Sequence, residues 1–500
     1  MWYLLPKRFF KFILFIFWNL TLIYLLFLSI ITLILFNICL IIFIFWFILT
    51  IIGWFLAFIP ILTFVFIPWY RRHCRLWTLQ QKQSRLSVAL FHSNCDLDRE
   101  RILWSIVQSI VKKYKNDVQI IIYTGDKSMM SEDIFQHVKQ HFDIDIKNSK
   151  SAITFIYLRS QFLLKNYQRC TLLRQSIGSM IVSFEALMRF IPDIYIDSSD
   201  YTFTYPYFYY LASSPIISYV QSPVINSNLI EPRNDEYVRD NSILTQIELL
   251  YYQLFTYING WCGRCSKMVY CNSLWTKEQL KASQKSTSLH LLYPPCDIEQ
   301  FLDIPLVNKE QRIISIGQFQ SETKHEFQIR AFYELLQKKS EMYSNFKLIL
   351  MGHVRHKEEQ KCLEKLQILV EDLNIKDKVE FKININRIQF KSELTQAMIG
   401  LHTKPNQSFD IDLIEMMAAG VMIIGHESGG IQMDIIDDEQ TGFLASEIES
   451  YVTKMQRIIE MSVDERCDIQ KRARDSVDRF NRLNFERLFT ELFDKIFDMK

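Results

Sequence analysis

The sequence predicts an α/β protein with two doubly wound domains behind an N-terminal membrane hairpin. Its 500 residues are 49% hydrophobic and 22% charged, which exceeds one ordinary domain and is enough for two cores. From Leu86 onward, short apolar runs alternate with stretches of helical periodicity, a pattern typical of parallel sheets covered by helices. Before that pattern, residues 12–70 contain no charged side chain.

This charge-free run predicts a membrane anchor at residues 1–75. Its 59 residues would form about 88 Å of helix against a hydrocarbon core of about 30 Å, so two spans fit and a third would also be accommodated. The length disfavours a cleaved signal peptide, and positive charge on both flanks predicts a hairpin with cytosolic ends. The flanking basic residues are Lys7, Arg8 and Lys11 before the run, and Arg71, Arg72 and Arg75 after it.

Charge and cysteine usage argue against nucleic-acid binding and against a zinc site. The formal net charge of +2 lacks the basic excess of a nucleic-acid-binding protein, so no nucleic-acid partner is expected. The ten cysteines are scattered, and Cys262-Gly-Arg-Cys265 has neither a second cysteine pair nor a histidine pair nearby. That spacing disfavours a zinc site and predicts reduced thiols in a cytosolic domain.

The first soluble domain, placed at residues 76–300, opens with a βαβ unit. It comprises a strand at Leu86–His92, a helix at Arg99–Lys113 and a strand at Val118–Thr124. Further apolar strands are predicted at Ala152–Leu158, Asp193–Asp197, Ile216–Val220 and Lys267–Asn272.

The second domain, placed at residues 301–480, repeats the alternation. We expect an additional helix at residues 481–500. Its strands are predicted at Arg312–Phe319, Phe346–Met351, Val379–Ile383, Ile399–Thr403 and Val421–His426, and its helices at Glu326–Lys338, Lys357–Asp372, Gln407–Gly420, Glu447–Met461 and Val463–Phe480.

The helix Gln407–Gly420 is the crossover between two of these strands, so its N-terminus is predicted at the carboxyl edge of the sheet. Backbone N–H groups there favour a diphosphate, and the carboxylate of Glu415 can accept hydrogen bonds from ribose hydroxyls. An ordinary surface helix with a solvated Glu415 fits the same periodicity, and the pattern alone leaves both interpretations open.

The first turn, His92–Arg99, lacks the glycines of a diphosphate-binding turn. It carries Asp96 and Asp98, which would repel an anionic lipid diphosphate. The residues alone therefore favour a simple helix start with Asp98 near the helix N-terminus.

Long segments of the soluble chain resemble one family. The segment Thr171–Ser198 resembles the alpha-1,2-mannosyltransferases that extend the dolichol-linked oligosaccharide of asparagine-linked glycosylation. Gln407–Gly420 is similar in frame to the E-x7-E helix of the retaining glycosyltransferases of family 4. Further matching segments are Glu100–Trp104, Tyr123–Asp126, Tyr293–Asp297, Ile316–Phe319, Val379–Ile385, Ile399–Thr403 and Ser428–Gly430.

The resemblance implies the GT-B fold, in which two Rossmann-like domains face a cleft and the last helix returns to the first domain. It also implies GDP-mannose as donor, a dolichol-diphosphate oligosaccharide as acceptor, and no metal or other cofactor. The expected place is the cytosolic face of the endoplasmic reticulum membrane. Membrane lipid and other mannosyltransferases of the same pathway are the expected partners.

By resemblance, the site is assigned residue by residue. The catalytic positions are Gln407 and Glu415. The donor-binding positions are Gly317, Gln320, Lys324, Asp410, Glu415, Ser428, Gly429 and Gly430, and the acceptor-side positions are Asn94, Asp96 and Gln221.

Several of these positions depart from the family pattern. The first glutamate of the E-x7-E motif is Gln407, the following glycine is Asp410, and the family's Arg and Lys are Gln320 and Thr323, with Lys324 one residue along. The family's H-Y-P is Gln221-Ser-Pro223. A neutral glutamine cannot replace the bidentate contact of an arginine. Three functions remain open: a working mannosyltransferase, an enzyme of shifted donor specificity, and an inactive paralogue that acts as a partner subunit.

Overall fold

The computed structural model forms two compact units, residues 1–73 and 74–500. In the first unit it describes residues 21, 46, 47 and 50, all helical, so the expected hairpin lies outside the described residues. Within the part of the chain that is described, no helix is both long and apolar enough to cross a membrane. The second unit is described over residues 85–92, 97–115, 117–125, 131–142, 144, 152–164, 171–222, 243–283, 288–307, 309–338 and 341–497.

The first domain is built on a seven-stranded parallel sheet with strand order β3-β2-β1-β4-β5-β6-β7. Chain order reverses beside β1, and ligands of doubly wound sheets bind at such a switch point. The strands are β1 (Leu86–Phe91), β2 (Val118–Thr124), β3 (Ile153–Tyr157), β4 (Ile194–Asp197), β5 (Ile216–Val220), β6 (Met268–Cys271) and β7 (Ser288–Leu291).

Helices connect these strands, as parallel pairing requires. Three 3-10 or π turns, Ser160–Leu164, Thr202–Thr204 and Tyr207–Ala212, supplement them. The helices are α1 (Leu97–Tyr114), α2 (Ser131–Phe142), α3 (Thr171–Arg189), α4 (Ile243–Gly263) and α5 (Leu274–Ser283), and the four-residue α6 (Glu299–Leu302) follows β7.

The second domain has a six-stranded parallel sheet with strand order β10-β9-β8-β11-β12-β13. Its strands are β8 (Arg312–Ile316), β9 (Lys347–Gly352), β10 (Val379–Ile383), β11 (Ile399–Leu401), β12 (Met422–His426) and β13 (Phe443–Ala445). Its helices are α7 (His325–Gln337), α8 (Glu341–Ser344), α9 (Lys357–Asp372), α10 (Arg387–Gln396), α11 (Ile411–Ala418), α12 (Ile448–Glu460) and α13 (Val463–Ser476), and a π turn spans Ile431–Ile435.

The last helix, α14 (Arg482–Phe497), packs on the core of the first domain. Phe485, Phe489 and Phe493 are buried in one cluster with Val88 and Leu90 of β1. Their spacing of four residues puts the three rings on one face of the helix. The chain therefore crosses from the second domain back to the first.

The structure corrects several element boundaries. The helix predicted from Gln407 begins at Ile411, because Asp410 caps it by accepting a hydrogen bond from the Leu413 N–H at 3.0 Å. The single helix expected over Val463–Phe480 ends at Ser476 and continues as a 3-10 turn. Strands β7 and β13 were not predicted: β7 mixes Ser288 and His290 with two leucines, and β13 has only three residues between polar neighbours, so neither stands out as an apolar run.

Candidate active site

A cleft of about 2450 Å³ runs between the two domains of the second unit. Its lining includes His92, which directly follows β1, and Gly317, which directly follows β8. Both lie at the carboxyl ends of parallel strands, where this class of fold binds ligands. Its Lys and Arg side chains are Arg99, Arg101, Lys324, Arg330, Arg355, Lys361, Lys365 and Arg387.

Glu415 is a fully buried carboxylate in the second turn of α11, with 0% relative exposure. Arg387 donates two hydrogen bonds to it, Nη1 to Oε2 and Nη2 to Oε1, both at 2.7 Å. Arg101 of α1 approaches from the first domain, with its Nη1 3.6 Å from Glu415 Oε1. A surface helix with a solvated Glu415 is therefore excluded.

Two ionisable groups near this carboxylate, Arg101 and Asp412, have shifted pKa values. Burial disfavours the charged form of Arg101, yet the carboxylates of Glu415 and Asp297 raise its pKa above the ordinary value. Burial, followed by the charges of Asp410 and Glu415, raises the pKa of Asp412 well above its usual range. The site thus combines a paired carboxylate with a neighbouring carboxyl group whose ionisation is suppressed.

Gln407 lies in the loop before α11. Its Nε2 donates to the carbonyl of Phe409 at 3.0 Å, and its Oε1 is 2.9 Å from His402 Nε2. Asp410 Oδ2 is 3.5 Å from the same histidine nitrogen. Both substituted positions of the E-x7-E frame therefore meet at His402.

The turn Ser428–Gly430 packs directly on this loop. The Gly430 N–H donates to the Gln407 carbonyl at 2.9 Å, and the Asn406 N–H donates to Ser428 Oγ at 2.8 Å. Gly429 has a φ of 68°, in the left-handed region. A Cβ at Gly430 would lie 1.8 Å from the Ser408 carbonyl oxygen, so only glycine allows this approach.

Lys324 stands at the start of α7 with an exposed side chain and a φ of 54°. Burial, then the charges of Lys324 and His402, lower the pKa of His426 to about 4. Gly317 is also closely packed, because a Cβ there would lie 2.6 Å from Thr323 Cγ2. The turn after β8 is therefore tight. The charge of Lys324 also acts on His426, as does that of His402.

Gln320 lines the cleft, but its side chain is engaged. Its Nε2 donates to Glu359 Oε1 at 3.1 Å. Glu359 also accepts hydrogen bonds from the N–H groups of Arg355 and His356, at 2.6 and 3.2 Å. Gln320 thus joins the turn after β8 to the start of α9.

Of the predicted acceptor-side residues, the structure describes only Gln221. Asn94 and Asp96 lie outside the described residues. The carbonyl of Gln221 accepts a hydrogen bond from Ser408 Oγ at 2.6 Å, and Asn272 Nδ2 donates to Ser408 Oγ at 3.2 Å. Gln221 Nε2 is buried and has no hydrogen-bond partner in the described part of the chain. The loop beside Gln407 therefore binds the first domain.

Arg387 and Arg101 were not among the predicted site residues. Arg101 falls within the family-like segment Glu100–Trp104, which could have pointed to it. Arg387 precedes Glu415 by 28 positions in the chain, and no local sequence pattern predicts their contact.

Glu100, the neighbour of Arg101, also faces this side of the cleft. Its Oε1 lies 3.3 Å from His92 Nε2 and 3.6 Å from His137 Nδ1. Although burial opposes it, the hydrogen bond from His92 lowers the pKa of Glu100. Among the residues that the structure describes, no group of histidine, cysteine or carboxylate side chains is arranged to hold a metal ion.

Comparison with known proteins connects both halves of the chain to glycosyltransferases. Residues 85–283 match the family "ALG11 mannosyltransferase N-terminus", and residues 297–476 match "Glycosyl transferases group 1". The GDP-Man:Man(3)GlcNAc(2)-PP-Dol alpha-1,2-mannosyltransferase of Homo sapiens is 37% identical over 441 residues, covering 84% of this chain and 89% of its own. The enzyme of the same name from Dictyostelium discoideum is 36% identical over 428 residues, covering 81% and 84%.

Solved structures share the fold at low identity. Sucrose-phosphate synthase from Thermosynechococcus elongatus superposes with a TM-score of 0.61 at 14% identity, covering 83% of this chain and 100% of its own. Anabaena Alr3699/HepE in complex with UDP and glucose gives 0.56 at 13% identity, covering 82% and 100%. Together with the two parallel sheets, these likenesses show the GT-B fold.

Proposed function

The chain belongs to the ALG11 mannosyltransferase family, and on that premise we propose that it transfers mannose from GDP-mannose to a dolichol-diphosphate-linked oligosaccharide in alpha-1,2 linkage. The observation that carries this function is Glu415, a buried carboxylate held between two arginines beside the interdomain cleft. A carboxylate there accepts hydrogen bonds from the two ribose hydroxyls of a nucleotide.

The remaining donor contacts follow from the loops around Glu415. Lys324 supplies positive charge to the diphosphate from the start of α7. Gly317 leaves room for Thr323 in the tight turn that precedes Lys324, because a Cβ at Gly317 would lie 2.6 Å from Thr323 Cγ2. The turn Ser428–Gly430, packed on Gln407, bounds the sugar side of the site.

The reaction breaks the bond between mannose C1 and the diphosphate oxygen and forms a bond from C1 to an acceptor hydroxyl oxygen. The hydroxyl proton passes to the departing diphosphate, and the family chemistry retains the configuration at C1. Negative charge grows on the leaving GDP, so cations fixed near the diphosphate stabilise the transition state. Lys324, Arg101 and Arg387 are charged side chains that line this cleft.

The residues that depart from the family pattern still take part in hydrogen bonds at the site. Gln407 donates a hydrogen bond to Phe409, and Gln320 donates one to Glu359. Both side-chain amides therefore have partners within the site. The similar proteins bear the name of the enzyme, and that favours the working mannosyltransferase over the partner-subunit alternative.

We further propose that residues 1–75 anchor the enzyme in the endoplasmic reticulum membrane with its catalytic domains in the cytosol, near other mannosyltransferases of the pathway. The support is the 59-residue charge-free run with basic residues on both sides. A tag at Lys500 should be digested when sealed microsomes are treated with protease. Protection of the tag until detergent is added would overturn this orientation.

The function is tested by transfer with the purified full-length chain in detergent. With GDP-mannose and a dolichol-diphosphate Man3GlcNAc2 acceptor, the product should gain whole hexose units that an alpha-1,2-specific mannosidase removes. UDP-glucose should support no comparable transfer. An unchanged acceptor, or a product resistant to the mannosidase, would contradict the proposed function.

A further inference from the structure

Arg387 is hydrogen-bonded to Glu415, the carboxylate that the proposed donor would bind. Both of its terminal nitrogens hydrogen-bond Glu415 at 2.7 Å, one to each oxygen. Glu415 is fully buried, whereas the Arg387 side chain is 43% exposed and lines the cleft. The arginine thus has room to move, and the carboxylate does not.

A ribose presents two adjacent hydroxyls that can donate to one carboxylate, much as the two terminal N–H groups of a guanidinium do. The hydroxyls and Arg387 therefore compete for the same oxygens of Glu415. Resting on the donor assignment above, we propose that the donor's ribose displaces Arg387 from Glu415. The released guanidinium then pairs with the donor's diphosphate.

The surroundings of Glu415 allow this exchange. A buried carboxylate that loses its partner is strongly destabilised. Arg101 Nη1 remains 3.6 Å from Glu415, and Nε and Nη1 of Arg101 are buried without a hydrogen bond in the described structure. Arg101 therefore keeps a positive charge beside the carboxylate when Arg387 leaves.

Aromatic rings flank the guanidinium of Arg387 where it pairs with Glu415. Its guanidinium carbon lies 5.0 Å from the ring centre of Phe301 and 5.1 Å from that of Phe390. Such contacts favour a cation over the ring face and do not depend on Glu415. The rings therefore contribute to holding Arg387 beside Glu415, in addition to the ion pair.

Once displaced, the guanidinium of Arg387 can pair with the donor's diphosphate. The positions that the resemblance assigns to a diphosphate-binding Arg and Lys are Gln320 and Thr323 in this chain, and Gln320 is bonded to Glu359. Arg387 lines the same cleft as Gly317 and Lys324. An arginine released into that cleft replaces the charge missing at Gln320.

The test compares binding of guanosine and GDP, because guanosine has the ribose without the phosphates. Dissociation constants are measured by calorimetry with the full-length wild type, Arg387→Met and Arg387→Lys. Arg355→Met is the matched control, since Arg355 lines the cleft and is exposed. In Arg387→Met, guanosine should bind more tightly and GDP more weakly, shifting their affinity ratio about 10- to 100-fold, the range of a charge-assisted hydrogen bond. Arg387→Lys should shift the ratio less, and Arg355→Met should leave it unchanged.

The outcomes separate the two claims. If wild type binds GDP but neither Arg387 variant alters the ratio, the exchange is refuted and the donor site stands. If wild type binds neither GDP nor GDP-mannose, the donor site itself is refuted, and the exchange with it. Should Arg387→Met melt early, Arg387→Lys decides the question, because it keeps the charge beside Glu415 and loses only the paired geometry.

Discussion

Glu415 illustrates how one buried charge determines the chemistry around it. The carboxylate is compensated by Arg387 at hydrogen-bond distance and by Arg101 at 3.6 Å. Removing its charge would leave both guanidinium groups facing a neutral amide, so folding stability would depend on the same residue that we propose binds the nucleotide.

Glu415→Gln should weaken GDP binding by about 10- to 100-fold, because a hydrogen bond to a charged acceptor contributes about 1.5–3 kcal/mol. Calorimetric titration of GDP into wild type and variant measures the change. The exposed Glu427→Gln provides a control of the same chemistry. Equal GDP affinity in wild type and Glu415→Gln would remove Glu415 from the donor site.

His426 makes stability depend on pH. Burial and the charges of Lys324 and His402 lower its pKa to about 4 from an unfolded value of 6.5. Between these values the unfolded chain binds the additional proton, so this contribution is complete above pH 6.5 and is lost as the pH falls toward 4. His426→Asn should therefore lose less stability than wild type between pH 7 and pH 5, measured by urea midpoints. Parallel losses in both proteins would show that His426 is not responsible.

At the element scale, one carboxylate joins the two domains. Asp434, in the π turn Ile431–Ile435, accepts hydrogen bonds from the Leu274 N–H at 2.8 Å and from the Tyr293 hydroxyl at 2.9 Å. Leu274 is the first residue of α5 in the first domain. The second domain thus caps a helix of the first.

Asp434→Ala should lower the free energy of unfolding by about 1–2 kcal/mol, the upper part of the range for a lost helix cap. Urea unfolding followed by circular dichroism measures it, with the exposed Asp437→Ala as control. A loss no larger than that of the control would show that the cap contributes nothing to stability.

The longer elements could be predicted, because a strand such as Val118–Thr124 is a nearly continuous apolar run and a helix such as Lys357–Asp372 shows its period several times over. The same patterns could not predict β13, whose three residues follow a turn. The position of Glu415 followed from the crossover between β11 and β12. Its pairing with Arg387 did not, since a contact between two helices depends on tertiary packing.

At the scale of the whole molecule, the two domains form one cleft through contacts that lie far apart in the sequence. Phe489 of α14 is buried in the core of the first domain, and Ser408 beside Gln407 hydrogen-bonds Gln221. These contacts keep Arg101 of one domain within ion-pair distance of Glu415 in the other. The proposed donor site therefore depends on the assembled pair of domains.

The most direct test of the account is the rate of mannose transfer by wild type beside the triple variant Gln407→Glu, Gln320→Arg, Gln221→His. If the cleft has been rebuilt around Glu415, Arg387 and Lys324, wild type should transfer mannose within about tenfold of the triple variant. A single lost transition-state contact typically costs about 100- to 1000-fold in rate. Wild type at the no-enzyme background, with the triple variant active or inactive, would contradict the account.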